Sequence, residues 1–221
     1  MAKLHQIFIG CPFSKDIRRN YDRLKKDIEQ KTPLSLILAD TVGVSSSDYL
    51  LEHITESIRE SAGCIFDVTN NNPNVSLEVG IAHTMPVEFV ISLKTRKPRK
   101  QSKGSGKDAE MRSIISDLQG KNRIEYKTYD SLRDDIEKRF FVNIPYMHRW
   151  RQFEKENQSM VAHVLKLFND IRTSGKTTRA RLVSALEGSG FSMNYVVKQL
   201  RKHKLVSFKT GKSGGIYYPS K

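Results

Sequence analysis

Residues 64–83 constrain the fold more than any other part of the chain, because they predict a strand, a loop and a helix in direct succession. A short apolar run ends at Asp67, and an Asn-rich loop follows it. Asn72 is a favourable N-cap, and Pro73 suits the first position of a helix. A helix that begins there carries Glu78 in its second turn.

Glu78 is the only carboxylate in a helical segment made mostly of small and apolar residues. A carboxylate in such surroundings is expected to be partly buried with a raised pKa, or to lie beside a ligand. Gly80 and Ala82 would leave room for that ligand to approach. A plainer interpretation also stays open, because a helix near a sheet edge can carry one Glu on its solvent side and Asn-rich loops are commonly turns.

Strand-like and helix-like segments alternate along the first two thirds of the chain. Strands are predicted at 5–10, 34–39, 64–68, 87–93 and 123–126, and helices at 14–30, 48–59, 73–85, 111–118 and 131–141. This alternation predicts an α/β fold, a flavodoxin-like parallel five-stranded sheet with helices on both faces. The segment 94–107 carries seven basic residues and no apolar period. It is predicted to be an exposed loop, either a solvated linker or a loop that faces nucleic acid.

Positive charge is concentrated toward the end of the chain. The 221 residues carry a net charge of +14. Residues 151–221 hold 14 Lys and Arg against 4 Asp and Glu, whereas the first 150 residues hold 24 against 20. Such charge indicates a polyanionic partner, most often nucleic acid. We expect two domains, residues 1–145 and 146–221, with the boundary near Trp150.

The C-terminal segment resembles a winged helix in the order of its elements. A long helix is predicted at 153–173, a short one that is capped by Thr177 or Thr178 and runs to Leu186, and a third after Ser192, followed by two strands around a Gly-rich turn. The resemblance implies that the third helix and the turn contact nucleic acid. The residues expected to do so are Asn194, Lys198, Arg201, Lys202, Lys209 and Lys212. A solvated basic face and a protein-contact surface stay open as alternatives.

The sequence DVTNNNPNVSLEVGIAH, residues 67–83, resembles a pattern shared by nucleoside 2-deoxyribosyltransferase-like and TIR-like nucleotide-binding domains. The first predicted strand and its glycine turn, residues 7–13, are similar to the start of the deoxyribosyltransferase branch. The resemblance implies a ribose held between a strand-end Asp, an Asn-rich loop and a Glu on a helix. The implied catalytic residues are Glu78 and Asp67, and the implied nucleotide-binding residues are Gly10, Cys11, Asp40, Asn72 and Asn74.

Two chemical roles for Glu78 follow from the resemblance. The carboxylate could attack the anomeric carbon to form a glycosyl-enzyme ester, or it could stabilise an oxocarbenium-like transition state while water attacks. Asp67 would contact the base or sugar and help the leaving group to take a proton. Asn72 and Asn74 would hold ribose hydroxyls, and Asp40 is a weaker candidate for the same pocket.

The function implied is an N-glycosidase or hydrolase that acts on a nucleotide or NAD and is tethered or regulated by nucleic acid, as in bacterial defence effectors that include retron-associated ones. The alternatives are a non-catalytic, nucleotide-sensing DNA-binding regulator and an adaptor for protein contacts. No cofactor and no metal are expected, since only Asp67 brings charge to the Asn-rich loop. Two Cys and no long apolar run favour a cytoplasmic protein without a membrane span. A homo-oligomer or a defence-complex partner stays open.

Overall fold

The computed structural model describes residues 3–42, 49–95, 123–209 and 214–219. At its centre is a parallel five-stranded sheet with the spatial order β2-β1-β3-β4-β5. The strands are β1 (Lys3–Gly10), β2 (Ser35–Leu38), β3 (Ser61–Asp67), β4 (Glu88–Lys94) and β5 (Arg123–Tyr126). This is the strand order of flavodoxin-like sheets, so the predicted α/β fold is confirmed.

Side chains alternate between the two faces of the sheet, and helices cover both faces. Ile7 and Ile9 of β1 lie in a core cluster with α1 (Lys15–Lys31). Phe8, between them, lies in a second cluster with α2 (Leu50–Glu60) and α3 (Pro73–His83). The helices α1, α2 and α3 therefore bury their apolar sides against one face of the sheet or the other.

Two helix predictions need correction. The helix predicted at 153–173 is two helices, α5 (Pro145–Glu156) and α6 (Val161–Ser174), because the backbone leaves the helical region at Asn157 with φ −135° and ψ 40°. The Asn157 side chain donates to the Phe153 carbonyl at 3.1 Å, a local bond that competes with helix continuation. The helix predicted at 131–141 is α4 (Tyr129–Asp135), which runs into a π-helical turn and a short 3-10 turn.

The last elements follow the predicted order. They are α6, α7 (Arg179–Ala185), α8 (Met193–Lys202), β6 (Ser207–Lys209) and β7 (Gly215–Tyr217). The Thr178 and Ser192 side chains cap α7 and α8 by accepting from the N–H groups of Arg181 and Tyr195, which confirms Ser192 and decides between Thr177 and Thr178. β6 and β7 form an antiparallel hairpin, and Thr177 adds a bridge to Ile216.

Residues of the C-terminal part share a core with the sheet. One cluster of buried side chains runs from Ile7 in β1 through Trp150 to Ile216. Polar and aromatic contacts join the same parts: the Arg172 guanidinium donates to the Glu29 carbonyl at 2.7 and 2.6 Å, and the His5 and Tyr218 rings stack with centroids 3.5 Å apart. The C-terminal elements therefore pack directly on the N-terminal sheet.

Several sequence predictions fall on residues outside the described ranges. These are most of the basic segment 94–107, the helix at 111–118 and Lys212. Within the described ranges, no helix combines the length and the apolar character needed to cross a bilayer.

Candidate functional site

The carboxyl ends of β1 and β3 form the edge of the sheet where a site is expected. The two strands are neighbours, with Gly10 in register with Phe66. After β1 the chain leaves to α1 on one face, and after β3 it leaves to α3 on the other face. Open parallel sheets bind ligands in the crevice that this change of direction creates.

Glu78 reaches this crevice from α3. The Asn72 side chain caps the helix by accepting from the N–H groups of Asn74 at 3.0 Å and Val75 at 3.3 Å, and Pro73 occupies the first turn. The predicted start of the helix is therefore confirmed, and Glu78 lies in its second turn. Glu78 is only 6% exposed, so the prediction of a buried carboxylate is also confirmed.

The space for the Glu78 carboxylate comes from Gly10. A Cβ atom added to Gly10 would overlap Glu78 Oε2 and approach Phe66 Cδ1 to 2.8 Å. Gly80 and Ala82, which were expected to leave room for a ligand, do not provide this space for the carboxylate. A Cβ on Gly80 would meet no atom within 4 Å, and Ala82 is packed in the core. The close approach is thus between a strand end and a helix that are distant in sequence.

The Glu78 carboxyl group has a raised pKa, close to neutral pH. Its Oε2 atom is buried and has no hydrogen-bond partner among the described residues. Burial raises the pKa of Glu78 from 4.5 to about 7, because the charged form loses its hydration. A carboxyl group of this kind can serve as a nucleophile or as a proton donor near neutral pH, which is the tuning that catalytic carboxylates show.

Asp67 lies at the end of β3 but is fully buried. Its Oδ2 accepts from the hydroxyls of Tyr21 at 2.9 Å and Tyr126 at 2.6 Å, and its Oδ1 accepts from the Thr69 N–H at 2.9 Å. Burial and the charge of Asp67 raise the pKa of both tyrosines, which keeps them as donors. The structure therefore shows Asp67 holding the loop after β3, in place of the expected open contact with a sugar or base.

The two tyrosines that hold Asp67 were not among the predicted site residues. The sequence places Tyr21 only within the predicted helix 14–30 and Tyr126 only at the end of the predicted strand 123–126. A buried tyrosine hydroxyl needs a polar partner. That requirement is the one sequence signal that could have associated them with Asp67.

Asp40 and Cys11 are the next two of the predicted nucleotide-binding residues. Both oxygens of Asp40 accept from the Arg18 guanidinium, at 2.8 and 3.1 Å, and Arg18 also pairs with Asp22. Burial raises the pKa of the Cys11 thiol to about 12, so this residue beside Gly10 is a neutral thiol at physiological pH.

The Asn-rich loop is held by its backbone conformation and by hydrogen bonds to β4. Asn70 and Asn71 adopt positive φ angles of 65° and 49°, a region that Asn tolerates better than most residues. The Thr69 hydroxyl accepts from the Lys94 N–H at 2.8 Å. Asn72 is occupied as the cap of α3, whereas Asn74 is exposed in the first turn of that helix. Asn74 is therefore the Asn of the pair with a side chain open to a ligand.

The predicted nucleic-acid residues lie on α8 and the hairpin. Asn194, Lys198 and Arg201 are exposed on α8, and Lys209 is exposed on β6. Lys202 is exposed too, but its ammonium donates to Glu156 Oε2 at 2.6 Å, so its charge is already paired.

A separate cleft of about 510 Å³ lies at the opposite, amino end of β1 and β2. It is lined by the His5, Arg172 and Tyr218 side chains among others, and it is remote from the carboxyl ends of the strands. Over residues 3–42, 49–95, 123–209 and 214–219, no three His, Cys, Asp or Glu side chains gather as a metal site would require.

No protein-family model and no curated protein matches the sequence. Among solved structures, a 2-deoxyribosyltransferase from Leishmania mexicana is 17% identical, with a TM-score of 0.35 over 42% of this chain and 67% of that chain. A conserved protein from Enterococcus faecalis V583 is 16% identical, with a TM-score of 0.42 over 61% of this chain and 98% of that chain. Both TM-scores are below 0.5, so neither likeness indicates a function for this chain.

Proposed function

We propose that the chain cleaves the N-glycosidic bond of a nucleoside, a nucleotide or NAD, with Glu78 as the catalytic carboxylate. The observation that supports this most directly is the Glu78 Oε2 atom, buried beside Gly10 and unpaired among the described residues. An unsatisfied buried carboxylate oxygen costs stability, so a role at a reacting centre accounts for its presence. The resemblance of residues 67–83 to deoxyribosyltransferase-like domains supports the same chemistry.

The proposed reaction proceeds through a covalent ester. A Glu78 carboxylate oxygen attacks C1′ of the ribose while the C1′–N bond breaks, and the bonding electron pair leaves with the base. Water then attacks C1′, which releases the sugar and restores the carboxylate, and the proton from water reaches the base or solvent. Preorganisation of this step needs the carboxylate within about 3–3.5 Å of C1′.

Asp67 is assigned a positioning part in this proposal. Its hydrogen bonds from Tyr21, Tyr126 and Thr69 hold the strand end and the loop that leads to α3. The loop in turn carries the Asn72 cap, from which the helix and Glu78 follow. The exposed side chain of Asn74 is the candidate for a contact with ribose hydroxyls.

We further propose nucleic acid as the partner of the C-terminal elements. Residues 188–221 contain no Asp or Glu, and the exposed side chains of Lys198, Arg201 and Lys209 give their surface a positive charge. The order of α6, α7, α8 and the hairpin, with the Thr177 bridge, is that expected of a winged helix. Cationic side chains on such a helix and hairpin would neutralise phosphates.

The test is an incubation of the purified protein with NAD, deoxynucleotides, ribonucleotides and nucleosides, with and without nucleic acid, followed by chromatography of the products. Release of a free base that is lost in Glu78→Gln and kept in Glu52→Gln is the expected result; Glu52 is an exposed residue of α2 and serves as the matched control. Binding of a nucleotide without any release would instead favour a nucleotide-sensing regulator. The absence of both would end the enzymatic proposal.

A further inference from the structure

Two aromatic side chains are exposed on the C-terminal elements. Tyr195, in the first turn of α8, is 46% exposed, and Phe208, in β6, is 37% exposed. Neither was identified from the sequence as a site residue. Both lie on elements that carry exposed Lys and Arg and no acidic residue.

The spacing along α8 places Tyr195 beside the basic residues. At 100° per residue, Asn194, Lys198 and Arg201 follow one line along the helix, four and then three positions apart. Tyr195 is three positions before Lys198, so the two side chains are neighbours on the same exposed surface. The opposite side of the helix carries Val196 and Leu200, which are fully buried. The tyrosine ring therefore flanks the basic line on one side.

Phe208 lies beside Arg201, the last residue of the same line. The Arg201 guanidinium lies over the Phe208 ring, 5.8 Å from the ring centre. On the same hairpin, the Lys209 ammonium lies 5.2 Å from the centre of the Tyr217 ring. We call the surface made by Asn194, Tyr195, Lys198, Arg201 and Phe208 the α8 strip. It combines two cations with two exposed aromatic rings.

The charge near the strip is suited to a polyanion. The nearby carboxylate of Glu156, at the end of α5, pairs with Lys202 and leaves Lys198 and Arg201 without an acidic partner among the described residues. Phosphates can therefore approach these two cations without displacing a carboxylate. Phosphate binding alone does not need aromatic rings. The two exposed rings add a surface on which bases can stack.

We propose that the α8 strip binds single-stranded nucleic acid, with Lys198 and Arg201 on the phosphates and unpaired bases stacked on Tyr195 and Phe208. Bases in a duplex already stack on each other and offer no free faces to side-chain rings, whereas unpaired bases do. This inference rests on the nucleic-acid partner proposed above and specifies its strandedness. It is independent of the chemistry at Glu78.

The experiment measures fluorescence anisotropy of labelled oligonucleotides with the full chain. The probes are a DNA single strand, its duplex, an RNA single strand and an abasic single strand with the same number of phosphates. The wild type should bind the single strands more tightly than the duplex and the abasic strand. Tyr195→Ala should weaken binding of the base-containing single strands about tenfold and leave the abasic strand unchanged.

Two further variants separate stacking from charge. Lys198→Gln should weaken every probe and reduce the log–log salt slope by about 0.7 for single strands. Val183→Ala, at another exposed apolar residue on α7, is the control and should bind like the wild type. Phe208 belongs to the hairpin, so Phe208→Ala changes the hairpin as well as the α8 strip. Tyr195→Ala removes an exposed ring without opening the core, and the result for Phe208→Ala is therefore compared with it.

Three results would overturn the inference. They are tighter binding to the duplex than to the single strand, equal binding of abasic and base-containing strands, and wild-type affinity of Tyr195→Ala. In each of these cases a salt-dependent affinity that falls in Lys198→Gln would preserve the proposed nucleic-acid partner. If no probe binds at low salt, the partner proposal and this inference both fail.

Discussion

Gly10 and Glu78 meet at the carboxyl edge of the sheet, and the missing side chain of the glycine is the space that the carboxylate occupies. One residue ends β1, and the other belongs to α3, which follows a different strand. The position of the proposed catalytic group is thus set by a contact between two elements and by the absence of a single carbon atom.

Gly10→Ala should therefore displace Glu78 and reduce kcat/KM for any cleaved nucleotide by tenfold or more, because a small misplacement of a reacting group is costly. The end of the Glu78 side chain can move, so the fold should persist. Gly80→Ala is the matched control. The added methyl group meets no atom there, and Ala favours helix by up to about 1 kcal/mol, so thermal stability should be unchanged or higher. Full activity in Gly10→Ala would contradict the proposed geometry.

Glu78→Gln should retain the fold and lower kcat by about 10³-fold, since it removes a charge needed in the transition state. In the wild type, kcat/KM should rise with pH and level off above about 7, because a nucleophilic carboxylate must be ionised and the pKa of Glu78 is about 7. The measurement is a pH–rate profile of the free enzyme with limiting substrate. A profile that falls through this pH range would instead indicate that Glu78 donates a proton.

The raised pKa of Glu78 also predicts how stability depends on pH. The folded protein binds the Glu78 proton more tightly than the unfolded chain does, so the free energy of unfolding falls as pH rises from about 4.5 through about 7. The full change is on the order of 3 kcal/mol. Glu78→Gln should remove it, and the variant should become more stable than the wild type above pH 7. Urea unfolding at several pH values measures this, with Glu52→Gln as the control that should follow the wild type.

Tyr21→Phe and Tyr126→Phe should each lower the free energy of unfolding by about 1–2 kcal/mol, because each removes one donor to buried Asp67. The double variant should cost more than the sum, since both hydroxyls donate to the same oxygen and the last donor matters most. Denaturant unfolding of the four proteins forms the cycle. Tyr195→Phe, at an exposed tyrosine, should be neutral. Additive losses would indicate that another group satisfies Asp67.

Local signals were sufficient to predict α3 and its burial. Asn72 and Pro73 mark the first turn, and the apolar residues around Glu78 indicate that it is removed from water. These signals lie within a few residues of each other. Each strand-like and helix-like segment whose alternation predicts the sheet is likewise recognised from its own residues. The parts of the fold that depend on neighbouring residues could therefore be derived from the sequence.

The contacts that complete the site could not be derived in this way. Tyr126 and Asp67 are 59 residues apart, and only the order of β3, β4 and β5 brings them within hydrogen-bond distance. Gly10 likewise meets Glu78 through the pairing of β1 with β3. The break at Asn157 is different, because it arises from a side-chain bond that competes with a helical pattern continuing on both sides.

The stacking of His5 on Tyr218 has a consequence for how the chain can be divided. His5 is in β1, and the Tyr218 ring also stacks on Phe168, with centroids 5.6 Å apart. A fragment that starts near Trp150 would therefore lose one of the two rings that stack on Tyr218 and expose apolar surface that the sheet covers in the whole chain. The amino end of β1 holds the C-terminal segment in place, and the carboxyl end of the same strand lies beside Glu78. One strand therefore connects two parts of the molecule that the charge distribution would assign to separate units.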